Sequence, residues 1–307
     1  MHPEPGPLGT ATAGPVKTPI TTPIAMASDT PLQTRLPWRQ RHPNWAGDAV
    51  TLLLLGLVLF PFFWLIKLSF QPRADIFDGA LLFTPTLEHY TAVWKGTFPF
   101  SFINSIVTAT SATALAMLVG VPAAYALSRM RAGVSRRVGL WILVTRMAPP
   151  VAFTIPLFLA FRYLELHDTR LGLVIVYLTF SLAFVIWMMK PFFDAVPREL
   201  EEAAAIDGCS TWKTFASITL PLTGPGLAAT AVICFIGAWN DFFFALILTR
   251  TQASTAPVAI VGFIQYVGWE WGRMAAAGTM VMAPVVLFSV LVRRHLVRGM
   301  AAGSIKG

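Results

Sequence analysis

The chain has 307 residues, 55% of them hydrophobic and only 12% charged, with a mean hydropathy of +0.64. That composition cannot clothe a water-soluble domain of this length in polar side chains, so the expected solvent is a lipid bilayer. The formal net charge of +8 suits nucleic acid only if the basic residues cluster, and the two cysteines, Cys209 and Cys234, offer no disulfide framework.

Residues 1–46 are rich in Pro, Thr, Ala and Gly, contain no long apolar run, and read as a disordered tail. The first apolar run lies too far in, and is too long, for a signal-peptide core. A membrane span needs about 20 mostly apolar residues. Six segments meet that need, at about 49–66, 103–127, 140–161, 171–189, 222–248 and 274–292. Backbone groups in hydrocarbon must bond internally, and no period-2 alternation argues for a barrel, so the spans are expected to be helices. The predicted fold is therefore an all-α integral membrane protein with a six-helix domain over 47–297 and a C-terminal tail over 298–307. Pro149, Pro150 and Pro156 in the third span and Pro284 in the sixth predict kinks.

Charge sets the expected orientation. Of the 23 Lys and Arg residues, fifteen fall in the N-terminal tail, the loop after span two, the loop after span four, and the C-terminal tail. The opposite loops hold six: Arg73, Lys95, Arg162, Arg170, Arg250 and Arg273. The positive-inside rule then puts both termini in the cytoplasm. The basic balance becomes a topology signal, and no nucleic-acid partner is expected.

One of the loops on the predicted cytoplasmic side, residues 190–221, is unusual. It carries five carboxylates, from Asp194 to Asp207, against three basic residues, and it contains the run EEAAAIDGCSTWKTFASITLP. The spacing predicts a helix from about Pro197 to Asp207, closed by Gly208 in the left-handed conformation. Ser210 is positioned to cap a second helix bearing Trp212, Phe215 and Ile218. Trp212 and Phe215 stand three apart and are expected to share a face. A net acidic loop is repelled by an anionic lipid leaflet. An apolar face with acidic ends instead suits a groove on a partner protein, although a solvated connector would carry the same pattern.

Glu202-Ala203-Ala204, then Gly208, Ile218 and Leu220-Pro221, match every position of the EAA loop of ABC-importer permeases. FINSIVTATSATALAMLVGVPAAYALSR, Trp239-Asn240-Asp241-Phe242 and the terminal GSIKG resemble the carbohydrate family of these permeases, in particular the smaller, maltose-transporter-type transmembrane subunit. The resemblance covers roughly 45–307. It implies a type I importer in a bacterial plasma membrane, built from this permease, a second and different permease, an ATP-binding subunit dimer and an extracytoplasmic solute-binding protein. It also implies coupling to the ATPase through Glu202, Ala203, Ala204, Gly208, Trp212, Phe215, Ile218, Leu220 and Pro221, with a further contact from Ser304, Ile305 and Lys306 in the C-terminal tail. The chain has no GxxxxGK[ST] phosphate cradle. It is therefore expected to be a transport subunit and not an enzyme, with ATP-Mg held by its partner and no cofactor or metal of its own.

Polar groups at membrane depth are the candidates for a substrate path. Arg146 precedes the Pro149-Pro150 break; it is either a pathway or gating residue or an arginine that snorkels or pairs with a neighbouring span. Trp239, Asn240 and Asp241 combine a ring with an amide and a carboxylate, the groups that recognise a polyhydroxylated ligand, although Trp also anchors helices at membrane boundaries. Asn104 and Ser105 admit two readings, pathway groups or a helix cap. The expected function is a permease subunit for a carbohydrate or polyol. The alternatives are a permease for another small polar solute or an ion-coupled secondary carrier, for which inverted repeats would be expected.

Overall fold

The computed structural model describes residues 45–147, 149–265 and 268–303. The first 44 residues of the predicted tail, and Ser304, Ile305 and Lys306, lie outside these. The chain divides into two compact units, residues 1–54 and 55–307. The described part of the first is the opening stretch of helix α1, and every later element belongs to the second.

The elements are α1 (Trp45–Phe70), α2 (Arg73–Phe77), α3 (Glu88–Lys95), α4 (Phe98–Arg129), α5 (Ala132–Met147), a 3-10 turn (Pro150–Phe153), α6 (Thr154–Tyr163) and α7 (Arg170–Asp194). They continue with α8 (Arg198–Ile206), α9 (Thr211–Thr214), a π-helical turn (Phe215–Thr219), α10 (Leu220–Leu222), α11 (Gly224–Trp239), α12 (Phe243–Leu248) and α13 (Ala256–Val261). A two-residue antiparallel pair, Ile264–Gln265 with Gly268–Trp269, precedes α14 (Trp271–Gly303).

Four of these helices (α1, α4, α7, and α14 as far as Leu291) are long and apolar enough to cross a membrane. Two bent pairs bring the total to six if each pair is one span. The third predicted span is not one helix. Ala132–Met147 and Pro150–Tyr163 meet at 81°, because Pro149 is extended and consecutive prolines remove the two N–H donors a continuous helix needs. The fifth is also divided. The helical stretch Thr211–Leu222 turns by 79° into α11, and α11 ends at Trp239 before the short α12 begins at Phe243.

The centre of the fold is the α4–α7 pair. Ala109, Ala112, Ala116, Gly120 and Ala124 form a buried stripe at helical spacing on α4. A Cβ placed on Gly120 would lie 2.7 Å from Val185 Cγ1 of α7. In lipid, helices gain little from hiding apolar side chains, so close backbone approach through small residues supplies the packing. Leu57, Val58, Phe60 and Phe63 of α1 are exposed, as expected of a helix that is apolar all round and meets lipid.

Candidate functional site

At one end of the α4–α7 pair sits the acidic loop. Helix α8 follows Pro197, and Gly208 adopts φ +81° after its end. The Ser210 hydroxyl caps α9 by accepting from the Lys213 N–H at 3.3 Å. Pro221 lacks the N–H that would bond the Ser217 carbonyl, and a wider π turn occupies that region.

The loop turns two faces in opposite directions. Ala204, Thr214, Phe215 and Thr219 are buried. Phe215 packs against Tyr125 of α4 and Phe193 of α7, with ring centroids 4.8 and 6.2 Å away. Ile206, Trp212 and Leu200 are 86%, 67% and 43% exposed, and Glu202 and Ala203 are exposed beside them. Trp212 and Phe215 lie side by side, as their spacing predicts, but differ in exposure. Their rings touch at 5.2 Å, but Phe215 anchors the loop while Trp212 stands out. Ala204 belongs with the anchor, and Ile218 and Leu220 are half-buried.

An ion pair that sequence reasoning missed holds this arrangement. Arg129, the last residue of α4, brings Nε to 3.0 Å from both carboxylate oxygens of Glu201 and Nη2 to 2.6 Å from Oε1. The same guanidinium donates to the Phe193 carbonyl at 3.1 Å and the Val196 carbonyl at 3.4 Å. Glu201 also accepts from Tyr125 and Thr219. One ion pair thus ties α4, the end of α7, α8 and the π turn together. Burial pushes the Glu201 carboxyl up, but hydrogen bonds from Arg129, Thr219 and Tyr125, with the charge of Arg129, outweigh it and hold the group below its ordinary range. The available signal was a glutamate directly before the exposed Glu202 and an arginine ending a span.

The predicted pathway residues separate. Trp239 is 1% exposed; its Nε1–H donates to the Val281 carbonyl at 3.1 Å, and Phe102 and Phe235 pack on its ring. It is a core residue, and the expectation of a ring open to a ligand is corrected, because the indole fills the space between α4, α11 and α14. Asn240 is exposed and ends α11. Asp241 accepts from the Ala245 N–H through Oδ1 at 3.2 Å, so its carboxylate caps the start of α12 and divides the fifth apolar run.

Arg146 and Asp241 do meet across one cleft. This cavity of about 250 Å³ is also lined by Tyr177, Phe180, Ser181 and Phe184 of α7 and by Gly237 of α11, among others. The Arg146 guanidinium lies 5.4 Å from the Phe184 ring centroid.

At the other end of α7, the Asp168 carboxylate accepts from the backbone N–H groups of Arg250, Thr251, Gln252 and Ala253 at 2.8 to 3.1 Å. Burial raises the Asp168 pKa, but these four donors prevail and lower it from 3.8 to about 2. Asn104 is fully buried inside α4, so the helix-cap reading is corrected. It donates to the Gln252 and Ser254 carbonyls and accepts from Arg170 Nε at 2.7 Å. Ser105 Oγ accepts from the Ala256 N–H. Among the described residues no group of three or more His, Cys, Asp and Glu side chains is placed to hold a metal ion.

Comparison with known proteins gives concordant matches. The family model described as the binding-protein-dependent transport system inner membrane component matches residues 115–302. The chain is 36% identical over 274 residues to the trehalose transport system permease protein SugB of Mycobacterium tuberculosis, covering 87% of this chain and 99% of that one. It is 34% identical over 263 residues to the trehalose/maltose transport system permease protein MalG of Thermococcus litoralis, covering 83% and 94% respectively. Among solved structures, it resembles a chain from the crystal structure of a bacterial ABC transporter involved in the import of the acidic polysaccharide alginate. The TM-score is 0.69 at 25% identity, with 81% of this chain and 95% of that chain covered.

Proposed function

Since the chain belongs to the family of binding-protein-dependent transport system inner membrane components, we propose that it forms half of the translocation pathway of an ATP-driven carbohydrate importer and takes its drive through the loop over 190–221. It is an integral membrane transport subunit and not an enzyme. The observation that carries the coupling reading is the divided loop. Leu200, Ile206 and Trp212 project from a segment that Arg129, Glu201 and Phe215 hold firmly against α4 and α7. Exposed apolar side chains rimmed by Glu202 and Asp207 suit a partner groove with basic edges. A rigid mounting lets displacement of that groove move the spans as bodies instead of bending the loop.

In this reading both termini face the cytoplasm, and the loop docks on one subunit of an ATP-binding pair that holds ATP-Mg. A second, unlike permease completes the pathway, an extracytoplasmic solute-binding protein delivers the substrate, and Ser304, Ile305 and Lys306 add a contact to the ATPase. The carbohydrate assignment is supported by the trehalose and maltose named for the relatives. Substrate passes Arg146 and Asp241, the two polar groups of the predicted path that share the cleft.

The test is uptake of radiolabelled trehalose and maltose by proteoliposomes holding the assembled complex and its binding protein. Uptake should require ATP and stop with vanadate. Uptake that persists without the ATPase and follows an ion gradient would establish a secondary carrier instead.

A further inference from the structure

Six basic residues lie in the loops opposite the acidic loop, against the bias that draws Lys and Arg to the other side. Three of the arginines there have acidic or amide neighbours. Arg273 pairs with Glu270 at 2.8 Å, Arg170 donates to Asn104, and Arg73 lines a cavity together with Glu88 and Glu270. Arg162 and Arg250 differ from these. They line one cavity of about 280 Å³ with His167 and Phe158, and no carboxylate belongs to its lining. Neither arginine forms an ion pair among the described residues. The acids of the adjoining turn do not compensate them: Glu165 is exposed outside the cavity lining, and the Asp168 carboxylate is occupied by the backbone N–H groups of residues 250–253. Two guanidinium groups in one wall repel each other, and an anion seated between them removes that cost.

The cavity is held from two directions. Leu166 and His167 donate their N–H groups to the Phe161 carbonyl, and Asp168 donates to that of Leu248, which keeps the His167 ring edge-on to Phe158 at 5.2 Å. The clamp of Asp168 on residues 250–253 brings Arg250 to the same place. Its surroundings are those of a membrane boundary. Ile155, Leu159 and Tyr163 form an exposed stripe along α6, with Tyr163 88% exposed in the last turn, where aromatic rings sit at headgroup level. Phe158 lies one turn before Arg162 on this helix, so the cavity is apolar toward the bilayer and cationic toward the loops. A phospholipid presents its glycerol carbons and its phosphate in that order, whereas an acidic protein surface has no use for the apolar end. We propose that Arg162, His167 and Arg250 bind the phosphate of an anionic phospholipid in the leaflet opposite the acidic loop. The arginines donate to phosphate oxygens, and a ring nitrogen of His167 adds a donor. A zwitterionic lipid would bring an ammonium group toward two guanidinium groups, so phosphatidylglycerol is favoured over phosphatidylcholine.

The test is photocrosslinking of the assembled complex in phosphatidylcholine nanodiscs, with subsaturating phosphatidylglycerol that carries a diazirine at the top of one acyl chain. Adducts are mapped by peptide mass spectrometry. Labelling of residues 154–163 is expected in the wild type. It should fall about fivefold in Arg162→Gln or Arg250→Gln and about twentyfold in the double variant. Lys95→Gln, an exposed residue of the same side, should leave it unchanged. Unlabelled phosphatidylglycerol should compete, whereas inorganic phosphate at the same concentration should not. If the double variant lowers the yield of complex, the two single variants decide. No labelling of residues 154–163 in the wild type, equal labelling in the arginine variants, or equal labelling by a phosphatidylcholine probe would each overturn the proposal. Competition by inorganic phosphate would overturn it in favour of a free anion. Loss of affinity for the solute-binding protein in the double variant, with lipid labelling intact, would overturn it in favour of a protein contact. None of these outcomes bears on the permease reading, which uptake tests separately.

Discussion

Arg129→Ala removes one half of the Arg129–Glu201 pair and should release the docking loop from the spans. The two side chains are 16% and 15% exposed, so water replaces the lost guanidinium only in part. Breaking a buried pair from one side costs about 3–5 kcal/mol. Tyr125 and Thr219 still donate to the carboxylate, which places the expected cost near the lower end, at about 3 kcal/mol. That is roughly a hundredfold in the local opening equilibrium. Hydrogen–deuterium exchange of residues 198–222 in the assembled complex reads this directly, and retention of the ATPase subunit on purification reads its consequence. Arg129→Lys, which keeps the charge but loses the two-pronged geometry, should fall between wild type and Arg129→Ala. The pH dependence has a fixed sign. The Glu201 carboxyl is depressed when folded, so the contribution of the pair is complete above the ordinary value of 4.5 and is lost as pH falls through the lower folded value. Exchange within threefold of wild type in Arg129→Ala, with the ATPase retained, would refute the view that this pair mounts the loop.

Gly208→Val should lower recovery of the ATPase with the complex while leaving membrane insertion unchanged. The space around Gly208 is open, so the cost is that of φ +81°, about 1–3 kcal/mol for a β-branched residue; Gly208→Asn should retain most of the coupling, which a pull-down checks. Asp168→Ala leaves four backbone donors unpaired and should expose residues 250–253 to limited proteolysis. In the wild type this protection should hold down to the ordinary value of 3.8 and disappear as pH falls through about 2, since the folded carboxyl is depressed. Gly120→Leu sets a side chain against Val185 at a point where a Cβ already lies 2.7 Å away. The overpacking, about 1–3 kcal/mol, should reduce the yield of folded protein in detergent, whereas Gly133→Ala, facing open space, should not.

Composition and local pattern determined much of this protein before any coordinates. Apolar segment length identified the membrane helices, since hydrocarbon thickness is a one-dimensional requirement that a linear scan can read. Gly208 and Ser210 declared the turn and cap of the acidic loop, because left-handed backbone and N-capping depend on only a few neighbouring residues. Position in space was a different matter. Nothing adjacent in the sequence distinguishes Glu201 from Glu202, yet one is clamped by Arg129, 72 residues away, and the other is exposed. Trp239 looked like a ligand platform until α14 was packed over it, and Asn104 looked like a cap until α4 was seen to begin at Phe98. Tyr177 drew no notice in an apolar run, and only the fold brought Asp241, 64 positions later in the chain, beside it. Burial, ion pairing and cleft lining are properties of the neighbours that a chain acquires on folding, and those neighbours here come from helices far apart in the sequence.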